Sequence, residues 1–345
     1  MGRGGIIINI SIFMTEKCNM KCKYCYEGEK EKVTITEEII ERFLDFLQIH
    51  MKKIGEEKVD IITHGGEPLL AFEKIVYLVN ELKKKNINYS LWITTNATLL
   101  NPEKQRFLLE NYDHISISID GKKTTNDLNR IYPNHRSCYE VIVPIIKEML
   151  KHNPDISGRM TFTPDTVPFL YDNIRHLHEL GFYNIIPEGD FVSQDWNEKD
   201  FVILEEQLKK VVLWVKNHGV EANISILDEA SNKLMNGMCD GGISSLSISS
   251  DGSIYPCTFT VGHKEEIVGD VYTGIDYEKV NRISSIGKTP IQECLGCARY
   301  DYCIATRCRL INKYTTGDAL CPSMTQCNLE NVKCAISRFY RKNMI

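Results

Sequence analysis

From residue 6 to about 190, apolar runs of strand length alternate with longer amphipathic stretches. "IIINISIF" precedes "TEEIIERFLDFLQIHMKKI", whose apolar positions recur every three and four residues, the spacing of one helix face. "VDIITHGGEP" precedes "LLAFEKIVYLVNELKKK", and "YSLWITTN" precedes "PEKQRFLLENY". "HISISIDG", "GRMTFTP" and "YNIIPEG" supply three further strands, each flanked by helical sequence. Strands alternating with helices predict an α/β chain whose parallel sheet is joined by crossover helices, either an open wound sheet or a partial barrel. In both architectures ligands gather at the carboxyl ends of strands. Four strands here end on polar or glycine-rich stops: a cysteine triplet, "HGGEP", "TTN" and "SIDG".

Helices are expected around 199–217 and 228–238, after which the texture changes. Residues 239–327 hold short strand-like runs ("SSLSIS", "SIYPC"), glycines and most of the cysteines. A segment with so few apolar residues is usually stapled by metal.

Composition narrows the class. The 345 residues suffice for one large and one small domain, and a net charge of −5 with both signs interspersed leaves no footprint for nucleic acid or a membrane surface. No apolar run approaches the roughly 20 residues of a membrane span. The start lacks a signal-peptide pattern, so a cytoplasmic protein is expected. Thirteen cysteines are many for such a chain. In a reducing compartment, clustered thiols bind metal or do chemistry more often than they form disulfides.

Cys18, Cys22 and Cys25 make C-x3-C-x2-C on the loop leaving the first strand. Three thiolates can hold three irons of a [4Fe–4S] cube and leave the fourth open to another ligand. A zinc site completed by His64 or a distant cysteine is the other reading of the spacing.

This triplet, with Tyr24 before its last cysteine and "GGEP" at the next strand end, resembles the radical SAM superfamily. The resemblance spans residues 6–190 in motif order. It implies that S-adenosylmethionine (SAM) binds the open iron and is cleaved reductively to a 5′-deoxyadenosyl radical. It implies cofactor-contacting roles for Gly65, Gly66, Glu67 and Pro68, the segment beside the SAM amino group, where glycines admit close backbone approach. Thr95, Asn96, Ser118, Asp120 and Arg130 match further strand-end segments. Arg159 resembles the strand arginine that meets the SAM carboxylate, a task suited to guanidinium. Ile186 is expected against the adenine.

The tail resembles the SPASM domain, an extension carrying two auxiliary [4Fe–4S] clusters. "DGSIYPC" and the run Cys294-x2-Cys297-x5-Cys303-x4-Cys308 carry the likeness, with a last gap of four residues where the family has three. The family pattern implies Cys239, Cys257 and Cys308 for the inner cluster; Cys321 is read as its fourth ligand, the alternative being an inner iron left open to a substrate thiolate. It implies Cys294, Cys297, Cys303 and Cys327 for the outer one. Cys138 and Cys334 are left over and read as buried, inert thiols.

The expected fold is therefore α/β, a partial (β/α)6 barrel with a small cysteine-rich, cluster-stapled C-terminal SPASM domain. The expected boundaries are 1–220 for the barrel, 221–238 for a bridging helix, 239–327 for the SPASM domain and 328–345 for a tail. Three [4Fe–4S] clusters and SAM are the expected cofactors.

Such enzymes act mostly on peptides, so the expected activity is a peptide maturase that forms a crosslink, foremost a cysteine thioether. Other crosslinks and epimerisation are its close relatives. The alternative is an anaerobic sulfatase-maturating enzyme, which makes formylglycine. There an aspartate base follows the cysteine of "YPC", and here Thr258 stands in its place, a hydroxyl unsuited to accept a proton. An electron-transfer protein would not need the "GGEP" rim, and a zinc-stapled binding module would not explain an open triplet. Expected partners are a cysteine-containing peptide and a reducing flavodoxin or ferredoxin. With the first strand starting at residue 6, no leader-gripping segment is expected before it. Recognition is then expected from a separate leader-recognition protein, β-augmentation or the enzyme's own surfaces.

Overall fold

A computed structural model of the chain describes residues 8–27, 33–193, 195–227 and 240–344. Eleven strands are described: β1 Ile8–Thr15, β2 Val59–Gly65, β3 Tyr89–Thr95, β4 His114–Ser118, β5 Ser157–Phe162, β6 Asn184–Gly189, β7 Asn223–Ile224, β8 Ser245–Ile248, β9 Ser253–Tyr255, β10 Gly269–Asp270 and β11 Gly274–Ile275. The helices are α1 Glu37–Ile54, α2 Phe72–Lys84, α3 Pro102–Asn111, α4 Lys123–Asn129, α5 Tyr139–His152, α6 Leu170–Leu180, α7 Glu198–His218, α8 Tyr277–Lys288, α9 Ile304–Arg307, α10 Arg309–Thr316 and α11 Met324–Met344. The six predicted strand–helix alternations are present as an α/β fold. The helix expected around 228–238 lies outside the described residues, as do residues 6 and 7.

Contacts divide the chain into two compact units, neither contiguous in sequence. The first holds residues 1–19, 26–116 and 240–285; the second holds 20–25, 117–239 and 286–345.

In the first unit β1 pairs in parallel with β2, and β2 with β3. The other edge of β1 takes β8 from the cysteine-rich part, also in parallel. Strands β8, β9, β10 and β11 then continue by antiparallel pairing. Burial on β1 alternates at first, with Ile8, Ile10 and Ile12 buried and Asn9 exposed. Helix α1 follows its sequence pattern. Thr36 caps its start by accepting from the Ile39 amide, Gly55 ends it, and Ile40, Phe43, Leu44 and Leu47 are buried along one face. Each such side chain contributes about 1.5–3 kcal/mol of burial, far above the cap's share of about 1 kcal/mol. Packing, not capping, fixes α1.

In the second unit β5, β6 and β7 pair in parallel, with Arg159 level with Ile186 and Thr161 level with Glu188. Gly158, Met160 and Phe162 are buried in β5, while Arg159 is exposed on the alternate face. The short strands expected in the cysteine-rich part are present as β8 and β9, and helices follow them toward the chain's end. That end carries helices α9, α10 and α11, and α11 takes in the residues read as a tail, burying Leu329, Val332 and Ile336. Local composition had masked this because α11 is mostly polar and its apolar stripe is narrow. Among the described residues, no helix is long and apolar enough to cross a membrane.

Candidate functional site

The three leading cysteines sit on the loop after β1. None forms a disulfide; Cys18 and Cys25 are exposed and Cys22 is half-buried. The boundary between the units falls inside this loop, after Asn19.

In the first unit the "GGEP" turn holds the loop's leading end. The Gly66 amide donates to the Thr15 carbonyl at 3.1 Å, and the Glu67 amide donates to the Lys17 carbonyl at 2.9 Å. Both glycines are required by this approach. A Cβ on Gly65 would stand 2.1 Å from the Thr15 carbonyl oxygen, and one on Gly66 would stand 2.5 Å from that of Lys17 and 2.9 Å from the Cys18 Cβ. Gly65 also has a φ of +143°, in the region that favours glycine.

Glu67 is buried, and its carboxylate ties three segments together. Oε1 accepts from the Thr95 hydroxyl at 2.7 Å and from the Leu69 amide at 3.2 Å, and Oε2 accepts from the Asn96 amide at 2.8 Å. Pro68 starts the short 3-10 turn that this carboxylate caps. Asn96 in turn donates through Nδ2 to Asn19 Oδ1 at 2.9 Å, and Asn19 donates to the Thr98 hydroxyl at 2.8 Å. Asn19, beside Cys18, was not singled out from the sequence. Its signal was its polarity and its place next to a ligand candidate.

In the second unit the loop's trailing end hangs on the α4 region. The Lys21 and Lys23 amides donate to the Ile131 and Asn129 carbonyls at 2.8 and 3.0 Å. The Tyr24 hydroxyl donates to Asp120 Oδ2 at 2.7 Å and accepts from Arg130 Nη1 at 2.8 Å. Asp120 and Arg130 are both buried. Asp120 Oδ1 also accepts from the Thr161 amide at 3.1 Å. Burial drives the Tyr24 phenol well above the usual tyrosine range, helped by the Asp120 carboxylate and opposed by Arg130. Burial likewise raises the Asp120 carboxyl, against the pull of Arg130 and the Tyr24 and Thr161 donors. For Arg130, burial works against the charge, but Tyr24, Cys22 and Asp120 outweigh it and the guanidinium stays charged. Its Nε is buried without a partner. The Cys22 thiol is raised by burial, with Arg130 opposing.

Ser118 ends β4 half-buried. The exposed guanidinium of Arg159 makes no hydrogen bond or ion pair among the described residues, and Ile186 shares its face of the β5–β6 pair. Glu188, on the same face, lies 3.6 Å from Lys333 Nζ. Asp190 serves its own loop, accepting from the Val192 and Ser193 amides.

Of the tail cysteines, Cys239 lies outside the described residues. Cys257 is half-buried in the first unit and precedes the turn Thr258–Thr260. The remaining ones belong to the second unit. Cys294, Cys297, Cys303 and Cys327 are near enough to feel one another's charge. Cys294 is raised by burial and then by Cys327 and Cys297. Cys327 is raised by burial and then by Cys297, and Cys303 is pushed up to about 11 by burial, Glu330 and, more weakly, Cys327. Among the described residues, no three Cys, His, Asp or Glu stand at the separation of ligands on one ion. The four thiols are neighbours, not a closed ion site. Cys308 is half-buried between α9 and α10, and Cys321 is exposed. Of the two left-over thiols, Cys138 is buried as expected, whereas Cys334 is half-buried.

Residues 12–168 match the Radical SAM superfamily. The chain is 25% identical over 284 residues to a cysteine-type anaerobic sulfatase-maturating enzyme of Clostridium novyi, covering 72% of each chain. It is 29% identical over 213 residues to an uncharacterized protein of Methanocaldococcus jannaschii, covering 59% of this chain and 72% of that one. Its fold is similar to that of native anSMEcpe with bound AdoMet and Kp18Cys peptide, at a TM-score of 0.79 and 20% identity over 97% of this chain and 99% of that one. SuiB of Streptococcus suis bound to S-adenosylmethionine is also similar, at a TM-score of 0.68 and 18% identity over 93% of this chain and 77% of that one. Residues 12–168, which bear the cysteine triplet and the "GGEP" turn, thus form a radical SAM domain, a kind of domain that uses a [4Fe–4S] cluster and SAM, and the protein is an enzyme.

Proposed function

We propose that this enzyme is a peptide maturase that takes a hydrogen atom from a residue of a peptide and joins that residue to another, foremost as a cysteine thioether. One observation carries the reading: a loop of three cysteines outside any disulfide is held at its leading end by Gly66 and Asn19 and at its trailing end by Tyr24. That is a mounting for an iron–sulfur cube with one iron open.

The residues suit the cofactors. Cys18, Cys22 and Cys25 form no disulfide, and Arg130 keeps one buried donor without a partner. Cys18, Cys22 and Cys25 would hold the cluster, which with SAM supplies a 5′-deoxyadenosyl radical. The backbone of Gly65, Gly66 and Pro68 would face the amino group, with Glu67, Thr95 and Asn96 keeping that turn in place. Arg159 is a free cation suited to the SAM carboxylate, and Ile186 offers an apolar wall for adenine beside it. Ser118, Asp120 and Arg130 would also serve the cofactor, with Tyr24 fixing the loop between Cys22 and Cys25.

In the tail, Cys294, Cys297, Cys303 and Cys327 would hold an outer auxiliary cluster, and Cys239, Cys257, Cys308 and Cys321 an inner one. The boundaries 1–220, 221–238, 239–327 and 328–345 belong to the same proposal, as do a cytoplasmic location, a flavodoxin or ferredoxin reductant and a separate leader-recognition protein. The peptide complexes known for anSMEcpe and SuiB support a peptide substrate.

Formylglycine formation is the second reading, favoured by the named activity of the clostridial relative. Thr258 after Cys257 weighs against it, because a hydroxyl does not accept a proton near neutral pH. A test starts with anaerobic reconstitution, which should give about twelve irons for three cubes. Joint replacement of Cys18, Cys22 and Cys25 by Ala should remove about four and abolish SAM cleavage. A native chain holding iron for one cube only would defeat the SPASM reading. With a cysteine-containing peptide, loss of two hydrogens and of the free thiol marks the crosslink. Replacement of the thiol by an aldehyde marks formylglycine, and inversion without mass change marks epimerisation.

A further inference from the structure

Cys18 is bracketed by two anchors that lead to one residue, Glu67. On one side the Lys17 carbonyl accepts from the Glu67 amide at 2.9 Å. On the other, Asn19 Oδ1 accepts from Asn96 Nδ2 at 2.9 Å, and the Asn96 amide donates to Glu67 Oε2 at 2.8 Å. The Asn19 anchor belongs to a closed ring. Asn19 Nδ2 donates to Thr98 Oγ1 at 2.8 Å, and Thr98 Oγ1 donates to Asn96 Oδ1 at 2.6 Å. Each of the three side chains gives one of these bonds and takes one, all in the same sense around the ring.

The backbone fixes that sense. The Thr98 amide also donates to Asn96 Oδ1 at 3.0 Å, and an amide N–H has no way to accept instead. Asn96 must therefore turn its oxygen to Thr98 and its Nδ2 to Asn19. Asn19 must answer with its own oxygen and give its Nδ2 to Thr98. Away from water such bonds polarise and strengthen one another, and Asn96 is buried. Between Asn96 and Thr98 stands Ala97, fully buried at a φ of +62°, in the left-handed region that a side chain disfavours. Its amide donates to Thr95 Oγ1 at 3.0 Å. Strain of this kind persists only where surrounding contacts over-determine it, and it gathers at ligand clamps. A connection that merely joined β3 to α3 would need neither the ring nor the strained alanine.

We propose that the Asn19–Thr98–Asn96 ring is a positioning device for SAM. It holds Cys18 in register with the "GGEP" turn, so that the iron left open by the three cysteines stays matched to the segment that receives the SAM amino group. This rests on the reading of Cys18, Cys22 and Cys25 as cluster ligands and of that turn as the amino-group segment. Asn19 and Thr98 are positioning residues that act through Cys18 and Glu67. The thiols hold the iron, so breaking the ring leaves the cluster in place and loosens the match on which SAM binding depends.

The test uses the full chain, anaerobically reconstituted, with radiolabelled SAM in equilibrium dialysis and EPR of the reduced cluster with and without SAM. Thr98→Val removes the ring's hydroxyl but keeps the backbone bond, and Asn19→Ala removes the anchor beside Cys18. Both should hold the parent's iron and bind SAM at least about fivefold more weakly, with a smaller SAM-induced change in the EPR signal. Thr98→Ser keeps the hydroxyl and should stay within about twofold of the parent. Thr98→Val with full iron and a smaller loss of SAM affinity than about fivefold overturns the proposal, as does a Thr98→Ser enzyme as weak as Thr98→Val. Loss of about four irons from Thr98→Val also overturns it, because the ring would then only hold the cysteine loop together. If Asn19→Ala alone loses iron, Thr98→Val decides. A parent that holds its iron and binds no SAM defeats the cofactor reading itself, a result seen before any variant is made.

Discussion

The Tyr24 hydroxyl reaches Asp120 Oδ2 at 2.7 Å across 96 positions of sequence and simultaneously receives Arg130 Nη1 at 2.8 Å. A residue lying between two cysteines of the triplet is thereby anchored to buried charged groups. Replacing Tyr24 by Phe removes the bridge and leaves a carboxylate oxygen and a guanidinium arm unmet. We expect a loss of about 1–3 kcal/mol of stability, measured by anaerobic chemical denaturation. SAM cleavage should slow by about tenfold, corresponding to roughly 1.4 kcal/mol of barrier. A Tyr24→Phe enzyme that is as stable and as fast as the parent would refute the anchoring role.

Gly66→Ala should act on the cluster through the backbone. The added Cβ meets the Lys17 carbonyl oxygen at 2.5 Å, a group that cannot swing aside as a side chain does. The loop end carrying Cys18 must move, and about four irons should be lost on reconstitution. Gly219→Ala is the control: it has positive φ, unlike Gly66, but open space around it. It should cost about 1 kcal/mol and leave iron content unchanged. Equal iron in the two variants would contradict the packing argument.

Cys321 tests the inner cluster. It is exposed, and its chain is held by the Thr316 hydroxyl donating to its carbonyl at 2.8 Å, a bond indifferent to the side chain. Cys321→Ala should therefore fold normally, keep the cluster on three thiolates as the SAM-binding site does, and still cleave SAM. Crosslinking should fall through altered potential and solvent access. A silent variant, together with a spectral shift when substrate is added to the parent, would favour direct binding of a substrate thiol.

His50 gives a pH dependence. It is buried on α1, and its Nε2 donates to the Ile243 carbonyl at 2.8 Å while its Nδ1 has no partner. Burial lowers its pKa below the usual 6.5, the Ile243 bond opposes this and Lys53 adds to it. A folded pKa below the unfolded one means that the unfolded chain binds the extra proton first. Stability is then complete above about pH 6.5 and is lost as pH falls through that value toward the folded pKa. Urea midpoints between about pH 7.5 and pH 5.5 should fall, and His50→Gln should flatten the slope while costing about 1 kcal/mol at neutral pH. An unchanged slope in His50→Gln would remove His50 as the source.

The sequence by itself determined the alternation of strands and helices, the position of the triplet after β1 and the stops at the ends of β2, β3 and β4. These are local: hydrophobic period and chemical spacing are written within windows of ten to twenty residues. It also named Tyr24, Asp120 and Arg130 singly. Only the tertiary structure decided that these three meet at one hydroxyl, that Glu67 holds Thr95 and Asn96, and that β8 from the cysteine-rich part pairs with β1. It alone decided that α11 has a buried face and that Asn19 bonds to both Asn96 and Thr98. The physical reason is the same throughout. A hydrogen bond or a buried charge depends on which distant segments the topology brings within about 3 Å, and no local period of apolar residues records that meeting.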